Sequence, residues 1–182
     1  MTKPKHSIQL GFDLDKHIAK YPGFPKDGIT FYDIAPILED TKVLADCTKA
    51  IIDVAGKYDP HVIAGVDARG FLFVTPVALA LKAGVVMIRK IGKLPGEVLQ
   101  ESYALEYGTA ELALQAERDL KNKRVVLVDD LLATGGTLEA ASKLIARQGG
   151  EVVANVVVIE LTGLKGREKL KGEVYSMQEY EF

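Results

Sequence analysis

Val125-Val-Leu-Val-Asp-Asp-Leu-Leu-Ala-Thr-Gly-Gly-Thr137 decides how this chain is read. Its opening run is apolar and rich in β-branched residues, which suits a strand buried on both faces. The run ends in adjacent carboxylates, Asp129 and Asp130. A Gly- and Thr-rich turn follows and leads into a helical pattern, Thr137 to Arg147, which Gly149-Gly150 ends. Gly135 and Gly136 let backbone N–H groups approach an anion closely. The helix N-terminus adds partial positive charge and unpaired donors, and Thr134 and Thr137 add hydroxyls. Residues Ala133 to Thr137 therefore read as a cradle for a monophosphate. Carboxylates repel phosphate, so Asp129 and Asp130 have another use: accepting hydrogen bonds from sugar hydroxyls and favouring positive charge on the sugar ring. Cradle and acceptors together point to a ribose 5-phosphate. The Lys of a Walker loop is absent, and no GxGxxG follows a strand. An ordinary helix cap and turn would use some of the same residues, but the whole strand-loop-helix pattern favours the cradle.

Outward from this stretch, short apolar runs alternate with helical patterns. His61–Gly65, Val85–Ile88 and Glu151–Glu160 read as further strands. Thr41–Lys57 reads as a helix with Leu44, Cys47, Ile51 and Val54 on one face and Asp40 or Thr41 as N-cap. Phe71–Lys82 is a second helix, in which Pro76 marks a kink or a late start. Leu10–Lys20 is expected to form a short N-terminal helix and Tyr21–Gly28 a loop. The alternation at Ala110, Leu112, Leu114 and Ala116 suggests an antiparallel excursion at the sheet edge. The expected fold is α/β: a mainly parallel sheet with helices on both faces, in one domain over residues 1–182, with residues 95–116 as hood and edge strands. Ligands of such sheets bind beyond the carboxyl ends of the strands.

The 182 residues carry 23 Lys and Arg against 25 Asp and Glu, a formal charge of −2, which disfavours a partner bound through nucleic-acid phosphates. Hydrophobic residues make up 48%, an ordinary globular share. The single cysteine, Cys47, excludes an internal disulfide, and on its apolar helix face it reads as a small core residue. His6, His17 and His61 are not spaced as metal ligands. No apolar run follows the N-terminal lysines as in a secretory signal, and none reaches the roughly 20 residues of a membrane span. A cytoplasmic chain is expected.

Other strand ends carry cations. Val66-Asp-Ala-Arg-Gly-Phe-Leu-Phe73 offers the Arg69 guanidinium and Gly70 backbone to a second anion, although a surface arginine beside a helix start reads equally well locally. Arg89, Lys90 and Lys93 crowd the next strand end in Ile88-Arg-Lys-Ile-Gly-Lys-Leu-Pro-Gly96. A charge run is usually a solvated face, but this one falls at a strand's carboxyl end beside two other candidate loops. The long arm Glu97–Gly108 reads as a lid that would protect an activated sugar from water.

The phosphate stretch resembles the phosphoribosyl pyrophosphate motif of the type I phosphoribosyltransferases, and Leu-Leu-Ala-Thr-Gly-Gly-Thr137 resembles its form in the adenine phosphoribosyltransferases. The Arg69 loop is similar to that family's pyrophosphate loop, and Arg-Lys-Ile-Gly-Lys-Leu-Pro-Gly96 to its basic stretch, part of which serves the neighbouring subunit. Ser102-Tyr-Ala-Leu-Glu-Tyr-Gly108 resembles the mobile hood, Phe24–Asp33 the adenine-binding segment, and Leu161–Leu170 the family's Leu-Lys-Gly-Arg-x-Lys-Leu ending. Tyr32 departs from the pattern, since many members carry Arg there.

The resemblance implies a homodimer that converts adenine and phosphoribosyl pyrophosphate into AMP and pyrophosphate, with Mg²⁺ carried by the substrate. It implies Asp129, Asp130 and Glu106 as the catalytic acids, Glu106 being nearest the base. Arg69, Arg89, Lys90, Lys93 and Tyr107 would face the pyrophosphate, and Thr30, Phe31 and Leu161 the adenine. The phosphate motif does not separate adenine from hypoxanthine, guanine or xanthine. A sensor that binds the activated sugar without chemistry would need a nucleic-acid surface.

Overall fold

The computed structural model describes residues 6–104 and 109–181. In chain order these form β1 (His6–Ser7), β2 (Ala19–Pro22), β3 (Thr30–Asp33), α1 (Ala35–Glu39), α2 (Thr41–Ala55), β4 (Val62–Val66), α3 (Phe71–Leu81) and β5 (Gly84–Lys90). Then come β6 (Val98–Ala104), β7 (Thr109–Gln115), β8 (Arg124–Leu132), α4 (Gly136–Arg147), β9 (Glu151–Leu161) and β10 (Glu173–Tyr180). One eight-stranded sheet has the order β1-β10-β9-β8-β4-β5-β7-β6, and β2 and β3 pair as a separate two-stranded sheet. β1, β10, β9, β8, β4 and β5 run parallel, whereas β7 and β6 are antiparallel at the edge. The α/β reading holds, including the antiparallel excursion.

Strand alternation divides the core between the two faces. Val126 and Val128 of β8 join Cys47, Ile51, Val54, Phe73, Val74 and Val77 from α2 and α3. Val125 and Leu127 face the other way and join Leu138, Ala141, Leu144 and Ile145 from α4. Burying each such aliphatic side chain contributes roughly 1.5–3 kcal/mol. Asp40 caps α2 by accepting from Lys42 N at 2.9 Å and Val43 N at 3.1 Å. Cys47 is wholly buried, and burial pushes its thiol up to about 12, the behaviour of an inert core residue.

Several local expectations need correction. The N-terminal helix shrinks to a 3-10 turn, Leu14–His17, capped by Asp13. So short a helix is marginal alone, and from Ala19 onward the chain is captured by antiparallel pairing with β3. Tyr21 and Pro22 belong to β2, so the loop narrows to 23–29. Pro76 lies inside α3, which continues past the missing donor because Phe73, Val74, Val77 and Ala78 are buried around it. Over its described length the arm 97–104 is largely a regular edge strand. Leu99 and Tyr103 pack on the core while Gln100 and Ser102 face outward. β8 continues through both aspartates to Leu132 instead of ending at them. β10, which no pattern announced, adds a strand beyond β9.

The chain enters the sheet centre at β4, steps to β5 on one side and returns later as β8 on the other. The loops after β4 and β8 therefore flank a crevice at the point where strand order reverses, the usual ligand position in such sheets.

Candidate active site

Asp129 and Asp130 lie in the last part of β8, 7% and 6% exposed. Asp129 Oδ1 accepts from the Asp130 backbone N–H at 2.9 Å. Burial, then the neighbouring Asp130 charge, raises the Asp129 carboxyl well above the ordinary carboxylate range despite that bond. The sign for stability follows. Below the unfolded-state pKa both states are protonated and Asp129 costs nothing. As pH rises, the unfolded chain ionises freely while the folded chain resists, so the group progressively destabilises the fold. Asp129→Asn is therefore expected to raise the melting temperature, with a gain that is small near pH 4 and grows toward neutrality. Melting curves across pH check this; a gain independent of pH would sink it.

The turn after β8 brings the phosphate candidates together. Gly135 has φ +81°, a left-handed conformation that favours glycine, and it N-caps α4 with no side-chain hydrogen bond to the helix N-terminus. A Cβ at Gly135 would run into the Gly166 carbonyl, and one at Gly166 into the Ala133 carbonyl. The turn thus rests backbone against backbone on the segment after β9. Gly135 and Gly136 are buried, whereas Ala133, Thr134 and Thr137 are half-buried along the outer side.

From the other side of the crevice, the loop after β4 leans on β8. A Cβ on Gly70 would come within 2.8 Å of the Val128 carbonyl and 3.0 Å of Asp129 Oδ1. Arg69 Nε stands 2.8 Å from Asp130 Oδ2. Its N–H is not aimed at that oxygen, which is buried and accepts no hydrogen bond among the described residues. Asp130 Oδ2 is therefore a buried acceptor whose neighbour is the Arg69 guanidinium. The same guanidinium lies 5.0 Å from the centre of the Phe31 ring. Arg69 thereby joins three sequence-derived groups: the sugar carboxylates, the pyrophosphate loop and the aromatic of the base segment.

Arg89 is engaged differently. Its Nε donates to Asp67 Oδ2 at 3.0 Å and a terminal nitrogen donates to the Lys93 carbonyl at 3.2 Å. It ties the β5 loop to the β4 loop. Lys90 and Lys93 are exposed beyond it. Among the described residues no ion pair joins either to Asp129 or Asp130. Thr30 and Phe31 are half-buried in β3, and Leu161 is buried at the end of β9. Glu106 and Tyr107 lie outside the described residues.

The segment after β9 holds a buried ion pair: Arg167 is 6% exposed and forks onto Glu160, which is 2% exposed. Arg167 Nε donates to Glu160 Oε1 at 2.8 Å, and its second nitrogen donates to Glu160 Oε2. The signal was present: Glu160 closes an otherwise apolar buried run, and a charge there needs a partner. Asp67, as the anchor of Arg89, was also missed.

With this geometry established, known proteins give a consistent answer. Residues 34–181 match the phosphoribosyl transferase domain. The chain belongs to the phosphoribosyl transferase domain family. Within that family it is 46% identical over 169 residues to the adenine phosphoribosyltransferase of Rhodospirillum rubrum, covering 93% of this chain and 99% of that protein. The crystal structure of adenine phosphoribosyltransferase from Thermoanaerobacter pseudethanolicus superposes with a TM-score of 0.88 at 42% identity, covering 92% of this chain and 98% of the other. The Saccharomyces cerevisiae enzyme, solved with an iminoaltritol bisphosphate and adenine, superposes with a TM-score of 0.82 at 36% identity, covering 90% and 95%. The family match takes in β4 to β10 and therefore both loops of the crevice.

Proposed function

We infer that the chain is an adenine phosphoribosyltransferase, joining adenine to phosphoribosyl pyrophosphate to give AMP and pyrophosphate in purine salvage. The observation that carries this reading is the convergence, at one end of the sheet, of two buried carboxylates, a glycine turn at a helix N-terminus without a side-chain cap, and Arg69 against Phe31. In the reaction, adenine N9 forms a bond to the anomeric carbon as the bond to pyrophosphate breaks. Asp129 and Asp130 hold the ribose hydroxyls, and the Asp130 carboxylate favours positive charge on the ring. Ala133, Thr134, Gly135, Gly136 and Thr137 hold the 5′-phosphate through backbone N–H groups and hydroxyls. Arg69, Lys90, Lys93 and Tyr107 receive the pyrophosphate, with Arg89 holding the loop. Thr30, Phe31 and Leu161 bind adenine, and Glu106 takes the proton the base loses. Mg²⁺ enters as part of the substrate, bound to its diphosphate. The hood assigned to the segment after Gly96 would exclude water from the activated sugar.

The protein is tested with phosphoribosyl pyrophosphate, Mg²⁺ and adenine, hypoxanthine or guanine, resolving nucleotides by chromatography. AMP alone is expected. IMP or GMP would overturn the base assignment, and bound but unreacted phosphoribosyl pyrophosphate would overturn the transferase reading.

The reading includes a cytoplasmic homodimer. Among the described residues no helix is long and apolar enough to cross a membrane. Leu72 and Leu79 of α3 are 49% and 76% exposed, beside Val85 and Met87 of β5 at 45% and 48%. This apolar face runs directly into Arg89 and the basic loop. A second copy docked there would bury it and bring its own cations beside this site. Met87→Glu is expected to yield monomers in sedimentation velocity; a wild-type chain already monomeric at micromolar concentration would refute the dimer.

A further inference from the structure

The assigned walls of the base site belong to different sheets. Thr30 and Phe31 lie in the two-stranded sheet, and Leu161 ends a strand of the main sheet. Among the described residues no hydrogen-bonded ladder joins the two sheets, so side-chain packing sets the distance between the walls. The residue after Phe31 does this. Tyr32 points to the opposite side of β3 from Phe31, and its ring stacks on Tyr180 with centroids 4.3 Å apart and planes at 25°. Tyr180 is the cross-strand partner of Leu161 in the β10–β9 pairing.

Tyr180 is itself held from several directions. Its hydroxyl donates to Asp15, and its carbonyl accepts from the Thr162 hydroxyl at 3.2 Å. Burial, then the bond to Asp15, pushes its phenol well above the ordinary range, so it remains a donor. Lys20, the cross-strand partner of Tyr32, lies 4.8 Å from the Tyr180 ring centre and 2.6 Å from Asp15. Asp15 is held below the ordinary carboxylate range, chiefly by Lys20.

We propose that the Tyr32–Tyr180 stack is a positioning element that sets the width of the adenine slot between Phe31 and Leu161. Two flat rings in contact form a slab of fixed thickness, one end carried by each wall. The proposal rests on the base-site reading given above.

Steady-state kinetics with adenine and phosphoribosyl pyrophosphate varied separately test it. Tyr32→Leu keeps apolar packing and Tyr180→Ala removes the second ring. Each is expected to raise KM for adenine about tenfold, the scale of a lost aromatic pair, with little change in KM for phosphoribosyl pyrophosphate. Tyr32→Phe keeps the stack and is expected to restore the wild-type value. The double variant is expected to be no worse than the poorer single one, because both remove one shared interaction. Additive effects, a parallel rise in both KM values, or an unchanged adenine KM would overturn the proposal. Wild-type protein that makes no AMP from adenine would instead overturn the base-site reading on which it rests.

Discussion

Asp130→Asn is expected to lower kcat by roughly 10²–10³-fold, the scale seen when a preorganised electrostatic partner of a transition state is removed. The substitution keeps the shape of the side chain. It removes the negative charge that favours a positive sugar ring and offers N–H donors as well as one acceptor. The Oδ2 atom at stake is buried, beside Arg69, and accepts no hydrogen bond among the described residues. Folding should change little, because Arg69 is partly exposed and its attraction to Asp130 is partly screened. Single-turnover kinetics together with a melting curve separate the two effects. A kcat near the wild-type value in a folded variant would remove Asp130 from the chemistry.

The largest expected loss of stability lies outside the carboxylate pair. Glu160→Ala leaves the Arg167 guanidinium buried without its counter-charge, and breaking such a pair costs about 3–5 kcal/mol. For a chain of this size each kcal/mol moves the melting temperature by about 2–4 °C. Replacing both partners, Glu160→Leu with Arg167→Met, should recover most of the loss, since a packed apolar pair can match a buried ionic one. Thermal melts of the single and double variants check this. A single variant as stable as wild type would show that the pair contributes nothing. The pair also anchors Gly166 behind the phosphate turn, so the double variant should recover stability more fully than affinity for the 5′-phosphate.

How far the sequence could be read depended on how local each signal was. The parallel core was legible because β4, β5, β8 and β9 are short apolar runs bounded by glycines or charges. The phosphate turn was legible because its glycines, hydroxyls and helix lie within one contiguous stretch. The base site was less so. Phe31 looks like any core aromatic until Arg69, from a distant loop, is found 5.0 Å from its ring. Edge strands were expected within 95–116, but the bounds of β6 were not legible, because an edge strand needs only every second residue apolar and Gln100 and Ser102 interrupt Leu99 and Tyr103. Tyr180 escaped because its meaning depends on its cross-strand neighbour Leu161 and its stacking partner Tyr32, a relation no periodicity encodes.

The separate β2–β3 sheet has an evolutionary consequence. Among the described residues its strands hydrogen-bond to each other and not to the main sheet, while the carboxylates and the glycine turn are rooted in β8 and α4. Under the proposed assignment, one wall of the base site and the sugar-phosphate machinery would therefore be heritable apart. A lineage could exchange the hairpin as a cassette and acquire taste for another heterocycle without disturbing the transfer machinery, provided the incoming strand still presents a ring to Tyr180.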